Sequence, residues 1–207
     1  MKKMIIFDID GTLFDTKEGI IKTFNKVLGL VGTKTIEVND EAKYIGPPVK
    51  SSFIKYAELS EAVANEATAL YRKYYVEEYV GFSRLYDGVE TCLNELLDKG
   101  YILGIATMKT YPQVKKLLDI TIESKYFSVI KTAKEDGSLS KSQMLKEIKT
   151  EFGEGMYYMV GDTEGDYKAS CDAGMNFIYA SYGYGELLLN NDTYILKKFS
   201  DLLDIFN

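Results

Sequence analysis

Two aspartates, Asp8 and Asp10, close the apolar run Met4–Phe7 and lead straight into Gly11. Read as part of a buried strand over residues 4–9, the pair would present both carboxylates on one face. Two anions held that close repel strongly unless a cation lies between them or one of them carries a proton. A divalent metal would meet the first need and a general acid the second. Farther along, Thr107, Lys141, Asp162 and Asp166 add a hydroxyl, an ammonium and two more carboxylates. Carboxylate oxygens are hard donors suited to octahedral Mg²⁺. A lysine offers a compact charge for a phosphate oxygen, and amides at a helix start offer anion-binding donors. Metal, ammonium and amides together describe a phosphoryl site. In such a site an aspartate can attack phosphorus to give an acyl phosphate. A second acid can protonate the leaving oxygen and then activate water.

Composition narrows the chemistry further. The 207 residues contain no histidine, so Ser-His and Cys-His catalysis and His-ligated zinc are excluded. Acid–base work falls to the 31 Asp and Glu residues. A net charge of −6 argues against nucleic acid or an anionic membrane as a general partner, while a small anionic substrate held by a metal and local cations remains compatible. With 46% hydrophobic and 27% charged residues the chain can bury a sizeable core. Cys92 and Cys171 form no Cys-x-x-Cys pair and are expected to be reduced, packed thiols. The first apolar run is too short and too acidic for a signal or a membrane span, so a cytoplasmic protein is expected.

The elements that must position these groups read as follows. Residues 4–9 form a strand, and a helix runs from Lys17 to Leu28 on an apolar stripe of Ile20, Phe24, Val27 and Leu28. Residues 33–85 look helical, broken at Ile45-Gly46-Pro47-Pro48, with Ser60 capping a long helix to about Tyr79. Asp87 and Glu90 have capping-box spacing for a helix that ends at Gly100. Strands are expected at Tyr101–Thr107, Tyr126–Ile130, Met156–Gly161 and Met175–Ala180, with a short one at Tyr194-Ile195. Helices are expected at Pro112–Leu118, Ser140–Phe152, Glu164–Ala173 and the C-terminus. This alternation implies an α/β fold with a doubly wound, mostly parallel sheet, whose strand ends share one edge where ligands bind. The helical block does not fit the alternation and reads as an inserted second domain over that edge. The expected division is residues 1–15 and 86–207 for the core and 16–85 for the insertion. Its tyrosines read as helix packing rather than a recognition surface.

These motifs resemble the haloacid dehalogenase superfamily, within it the phosphoglycolate phosphatase-like branch. Asp8-Ile9-Asp10-Gly11-Thr12 is similar to the family's first motif, Ala106-Thr107-Met108-Lys109 to its second, Lys141 to its third and Gly161-Asp162-Thr163-Glu164-Gly165-Asp166 to its fourth. Ile45-Gly46-Pro47-Pro48, Tyr86-Asp87-Gly88-Val89 and Tyr182-Gly183-Tyr184-Gly185 resemble secondary signatures. The resemblance implies a Rossmann-like core with an all-helical cap, Asp8 as nucleophile and Asp10 as acid/base. It implies Mg²⁺ held by Asp8, the Asp10 carbonyl and Asp162, with Asp166 a ligand or acting one step removed. Gly11, Thr107, Met108 and Lys141 would bind the phosphate. Met108 stands where relatives have a small polar residue, and Lys141 lacks the usual following proline, which makes Lys134 a rival. Asp10 favours phosphoryl transfer over dehalogenation, and the missing histidine disfavours a phosphosugar mutase. The expected function is a phosphatase of a small phosphorylated metabolite, working as a monomer or homodimer, with a nucleotidase or pyrophosphatase as the alternative. A phospho-switch binding module would lack the helical block. Phosphoglycolate, a nucleoside monophosphate, a sugar phosphate and pyrophosphate all fit the sequence.

Overall fold

The computed structural model describes residues 2–122, 124–187 and 193–206. Its strands are β1 (Lys2–Phe7), β2 (Phe14–Asp15), β3 (Arg84–Leu85), β4 (Ile102–Thr110), β5 (Val129–Ala133), β6 (Gly155–Gly161), β7 (Asn176–Ala180) and β8 (Tyr194–Leu196). The α-helices are α1 (Lys17–Leu30), α2 (Val49–Lys55), α3 (Glu61–Tyr74), α4 (Val89–Asp98), α5 (Tyr111–Thr121), α6 (Lys141–Phe152), α7 (Glu164–Asp172) and α8 (Leu202–Ile205). Six strands form one parallel sheet in the order β5-β4-β1-β6-β7-β8. Along β1 the side chains alternate between two apolar layers, Ile5 and Phe7 on one face and Met4 and Ile6 on the other, all nearly inaccessible. Burial on both faces is what lets a parallel strand read as a continuous apolar run. Helices α4, α5 and α8 fill the first layer, and α6 and α7 fill the second. No helix among the described residues is long and apolar enough to cross a membrane.

Only helices lie between β2 and β3, and the chain leaves and re-enters the sheet region through that two-stranded ribbon, pairing Phe14 with Leu85 and Asp15 with Arg84. Two-residue strands carry no periodicity, so the ribbon was not legible in the sequence. Within the block the α1 stripe packs as its spacing predicts. Phe24 is fully buried, with the rings of Tyr71, Phe53 and Tyr44 at 4.7, 4.9 and 5.0 Å. Ser60 caps α3 as predicted, but the α-helix ends at Tyr74 and continues as a π turn over Tyr75–Tyr79.

Four local expectations are corrected. The cap of α4 is Gly88, at φ 79°, and no side chain bonds the helix start, so Asp87 does not serve there. The second expected strand runs on to Thr110, with a register slip against β5 between Thr107 and Thr110. The third begins at Val129 rather than Tyr126. Tyr126 and Phe127 are buried and anchor the turn before it, with the Tyr126 hydroxyl accepting from Asn94 at 3.1 Å. Their aromatic character mimicked a strand. Of the two free cysteines, Cys92 is buried but Cys171 is exposed rather than packed. Phe24→Ala is predicted to destabilise the protein by about 3–5 kcal/mol, since the ring is wholly enclosed; urea denaturation checks this.

Candidate active site

The site forms where β1, β4 and β6 end together. Phe7 stands level with Ile105 on one side and Val160 on the other, so the residues that follow each strand meet at one edge. β1 stops one residue before Asp8, whose amide still donates to the Val160 carbonyl at 3.0 Å. The chain then turns, with the Leu13 and Phe14 amides donating to the Ile9 carbonyl at 3.1 and 3.0 Å. The strand pleat therefore no longer sets where the two carboxylates point. Each carboxylate has its own ammonium beside it. Asp8 Oδ1 lies 3.0 Å from Lys141 Nζ. Asp10 Oδ1 lies 2.9 Å from Lys109 Nζ and accepts from Thr16 Oγ1 at 2.5 Å.

Lys141 is the first residue of α6, whose start is fixed by Ser140: its hydroxyl accepts from the Gln143 amide at 3.2 Å, and its own amide donates to Gln143 Oε1 at 2.9 Å. The lysine pairs with Asp8 and with Asp166 Oδ1. Lys134 stays exposed in the loop after β5, so the structure brings Lys141, not its rival, to the carboxylates. Asp166 lies in the first turn of α7, where its Oδ2 accepts from the Thr163 amide at 3.0 Å and the Thr163 hydroxyl at 2.6 Å. Asp162 is fully buried, and its Oδ2 accepts from the Tyr184 amide at 2.8 Å. The Tyr184 hydroxyl donates to Asp15 Oδ1 at 2.6 Å and accepts from the Thr16 and Lys17 amides at 2.6 and 3.0 Å.

The β4 irregularity aims the second motif. A bulge re-directs side chains at a strand end. Here it leaves Thr107 buried, with its hydroxyl accepting from the Lys109 amide at 3.3 Å, and sets Met108 in the wall of two cavities. Lys109, quoted in the sequence only as part of a motif, is buried and also sits 4.3 Å from the Tyr75 ring, which the π turn supplies. A lysine two residues beyond a strand-end threonine, in a chain rich in site carboxylates, was the signal for it. Gly11 behaves differently from its expected role. Its amide donates to the Phe14 carbonyl at 2.9 Å and so is engaged by the turn rather than offered to an anion. At φ +72°, a Cβ here would stand 2.1 Å from Asp162 Oδ2. The residue is a glycine because a carboxylate presses against it. Gly183 closes the other side, where a Cβ would lie 2.3 Å from Asp162 Cβ.

Oxygens of Asp8, Asp162 and Asp166 lie within 4.8 Å of one another. Four carboxylates, those of Asp8, Asp10, Asp162 and Asp166, face two ammoniums, those of Lys109 and Lys141, so two negative charges are left over when all four are ionised. Burial pushes the Asp8 carboxyl up to about 7, with Asp166 and Asp10 adding to the shift and Lys141 opposing it. Burial pushes Asp162 up to about 8, with Asp166 and Asp8 adding. Burial alone would lower both lysines, yet the facing carboxylates hold them above the ordinary value. The donor set fits a divalent cation: hard oxygens, buried, two charges in excess, with Asp8 Oδ1 close to Lys141 but without an aligned hydrogen-bond donor.

A parallel, doubly wound sheet with an acidic triad and a lysine at its carboxyl edge places the chain among α/β proteins whose site sits at the strand ends. The description "Haloacid dehalogenase-like hydrolase" matches residues 5–180. The chain belongs to that family, in its phosphoglycolate phosphatase-like branch, and is a phosphatase-type hydrolase. It is 31% identical over 99% of its length to a phosphoglycolate phosphatase from Aquifex aeolicus, covering 97% of that protein. Pyrophosphatase PpaX from Listeria monocytogenes is also 31% identical, over 97% of this chain and 94% of that one. Tyrosine-protein kinase PtkA from Mycobacterium tuberculosis is 30% identical over 88% of this chain, which covers 63% of PtkA. The crystal structure of a predicted phosphatase from Clostridium acetobutylicum matches 100% of this chain and 98% of that one, with a TM-score of 0.90 at 29% identity.

Two predictions follow from the geometry and charge. Both raised carboxyls favour the folded state when protonated. Without metal this contribution is complete below their ordinary value of 3.8 and is lost as pH rises through about 7 to 8. Magnesium at 100 times its Kd is therefore predicted to raise the thermal midpoint by about 5–10 °C over EDTA. The rise should be larger near ~pH 8.5 than near ~pH 6, where protons compete with the metal; equal midpoints with and without metal at both values would refute the cation site. Lys109→Met is predicted to destabilise by about 1–3 kcal/mol because it leaves the half-buried Asp10 carboxylate without its ammonium. Adding Asp10→Asn should recover part of that loss in a double-mutant denaturation cycle.

Proposed function

We propose that the protein is a Mg²⁺-dependent phosphomonoesterase that acts through an aspartyl-phosphate on Asp8. The observation that carries this reading is the convergence of Asp8, Lys141, Asp162 and Asp166 in one buried cluster whose net charge calls for a divalent cation. Asp8, the Asp10 carbonyl and Asp162 would hold Mg²⁺, with Asp166 a ligand directly or through water. The ion would keep Asp8 ionised and neutralise charge on the phosphoryl oxygens.

The Asp8 carboxylate attacks phosphorus, a new carboxyl O–P bond forms, and the ester O–P bond breaks. Asp10, held by Lys109 and Thr16, gives its proton to the leaving alcohol oxygen. It then takes a proton from water, which attacks the phosphorus of the aspartyl-phosphate and returns Asp8 as a carboxylate with release of inorganic phosphate. Lys141, the Thr107 hydroxyl and the Met108 amide neutralise and orient the transferring group. Asp166 and Thr163 hold Lys141 in place. Gly11 contributes by letting Asp162 approach.

The same proposal assigns residues 1–15 and 86–207 to the catalytic core and 16–85 to a cap, with the β2–β3 ribbon at the junction. Closure of the cap would exclude water from the first step. The free thiols Cys92 and Cys171 are compatible with a reducing, cytoplasmic setting. Asp8→Asn is predicted to reduce phosphate release on the order of a million-fold, as loss of other nucleophiles does. Asp10→Asn should accumulate or slow the acyl-phosphate, visible as a covalent mass increment on the Asp8 peptide. Ordinary turnover by purified Asp8→Asn would rule the mechanism out.

A further inference from the structure

Resting on the phosphatase reading, we infer that the site prefers phosphate monoesters whose leaving group is uncharged and carries a flat ring, the nucleoside 5′-monophosphate class, over 2-phosphoglycolate or pyrophosphate. Two cavities flank the cluster. The larger, about 720 Å³, is walled by Ile45, Pro47, Pro48, Tyr56 and Met108 and reaches Lys141 and Asp166 at its base. The smaller, about 40 Å³, lies at Asp10 among Phe24, Tyr44 and Tyr71. Gly46, Pro47, Pro48 and Met108 line both, so the leaving group protonated by Asp10 exits along that apolar wall. The larger volume is in the range of pockets that enclose drug-sized ligands, well beyond what glycolate needs.

Charge points the same way. Glycolate carries a carboxylate and pyrophosphate a second phosphate, and each needs a cation outside the reacting cluster. Among the described residues, the cations lining the two cavities are Lys43, Lys109 and Lys141. Lys109 and Lys141 face the site carboxylates, and Lys43 pairs with Asp40. Residues 188–192 read Leu-Leu-Asn-Asn-Asp and add no cation. Glu164 and Glu186 line the larger cavity and would repel a second anion, whereas they can accept hydrogen bonds from sugar hydroxyls. Tyr56 and the two prolines give the cavity an apolar wall of the size of a planar ring.

The test is phosphate release by the full chain with Mg²⁺, comparing kcat/KM for AMP, GMP, p-nitrophenyl phosphate, 2-phosphoglycolate and pyrophosphate. At least one nucleotide is expected to exceed both phosphoglycolate and pyrophosphate by at least about tenfold; a smaller ratio overturns the inference and leaves the phosphatase reading intact. No release from any ester, p-nitrophenyl phosphate included, overturns both. Glu186→Lys, at an exposed position, is expected to raise phosphoglycolate turnover about fivefold or more, and no gain counts against the charge argument. Tyr56→Ala is expected to raise the nucleotide KM about tenfold, with Tyr56→Phe restoring it; equal KM values in all three proteins would remove the ring from the argument.

Discussion

The structure turns on an imbalance of buried charge. Four aspartates and two lysines share the edge of one sheet, and burial makes each uncompensated charge costly. Each lysine is placed by a separate device: Lys141 by the capped start of α6, and Lys109 by the bulge near the end of β4 with an aromatic face above it. Neither device answers the whole deficit. Burial raises the Asp8 and Asp162 carboxyls, the neighbouring carboxylates add to the rise, and Lys141 offsets only part of it. A fold that keeps such a centre keeps it for a ligand of opposite sign, and the apolar layers on both sides of β1 supply the stability to hold it.

Much of this was legible in the sequence because it depended on local rules. The apolar run before Asp8 and the capping serine at 140 act over a few residues, so they survive folding unchanged. The parallel sheet followed from alternation alone. The edge site followed from the sheet. The partner of Asp10 was not legible, because Lys109 lies within a register slip of the β4–β5 pairing, which leaves no period in the sequence. The β2–β3 ribbon was missed for a similar reason, since two residues have no period to detect. The constraint on Gly11 was not legible because it comes from Asp162, some 150 positions away, pressing into the space a side chain would fill.

The helical block reads differently with its packing known. Three of its tyrosines pack as expected, Tyr44, Tyr71 and Tyr75 being buried, whereas Tyr56 lines the larger cavity; a continuous apolar cluster joins Phe24 to Phe7 and Ile105. Tyr75 does more than pack, since its ring lies over the Lys109 ammonium. The block is thus tied to the site through an aromatic–cation contact as well as through the chain.

Tyr184 gives this tie a mechanical meaning. Its amide donates to Asp162 while its phenol is held by Asp15 of the ribbon and by the amides of Thr16 and Lys17 just beyond it. Under the proposed mechanism a swing of the helices about that ribbon would tug at Asp162, so that opening for product to depart and loosening of a bound cation would be one motion rather than two.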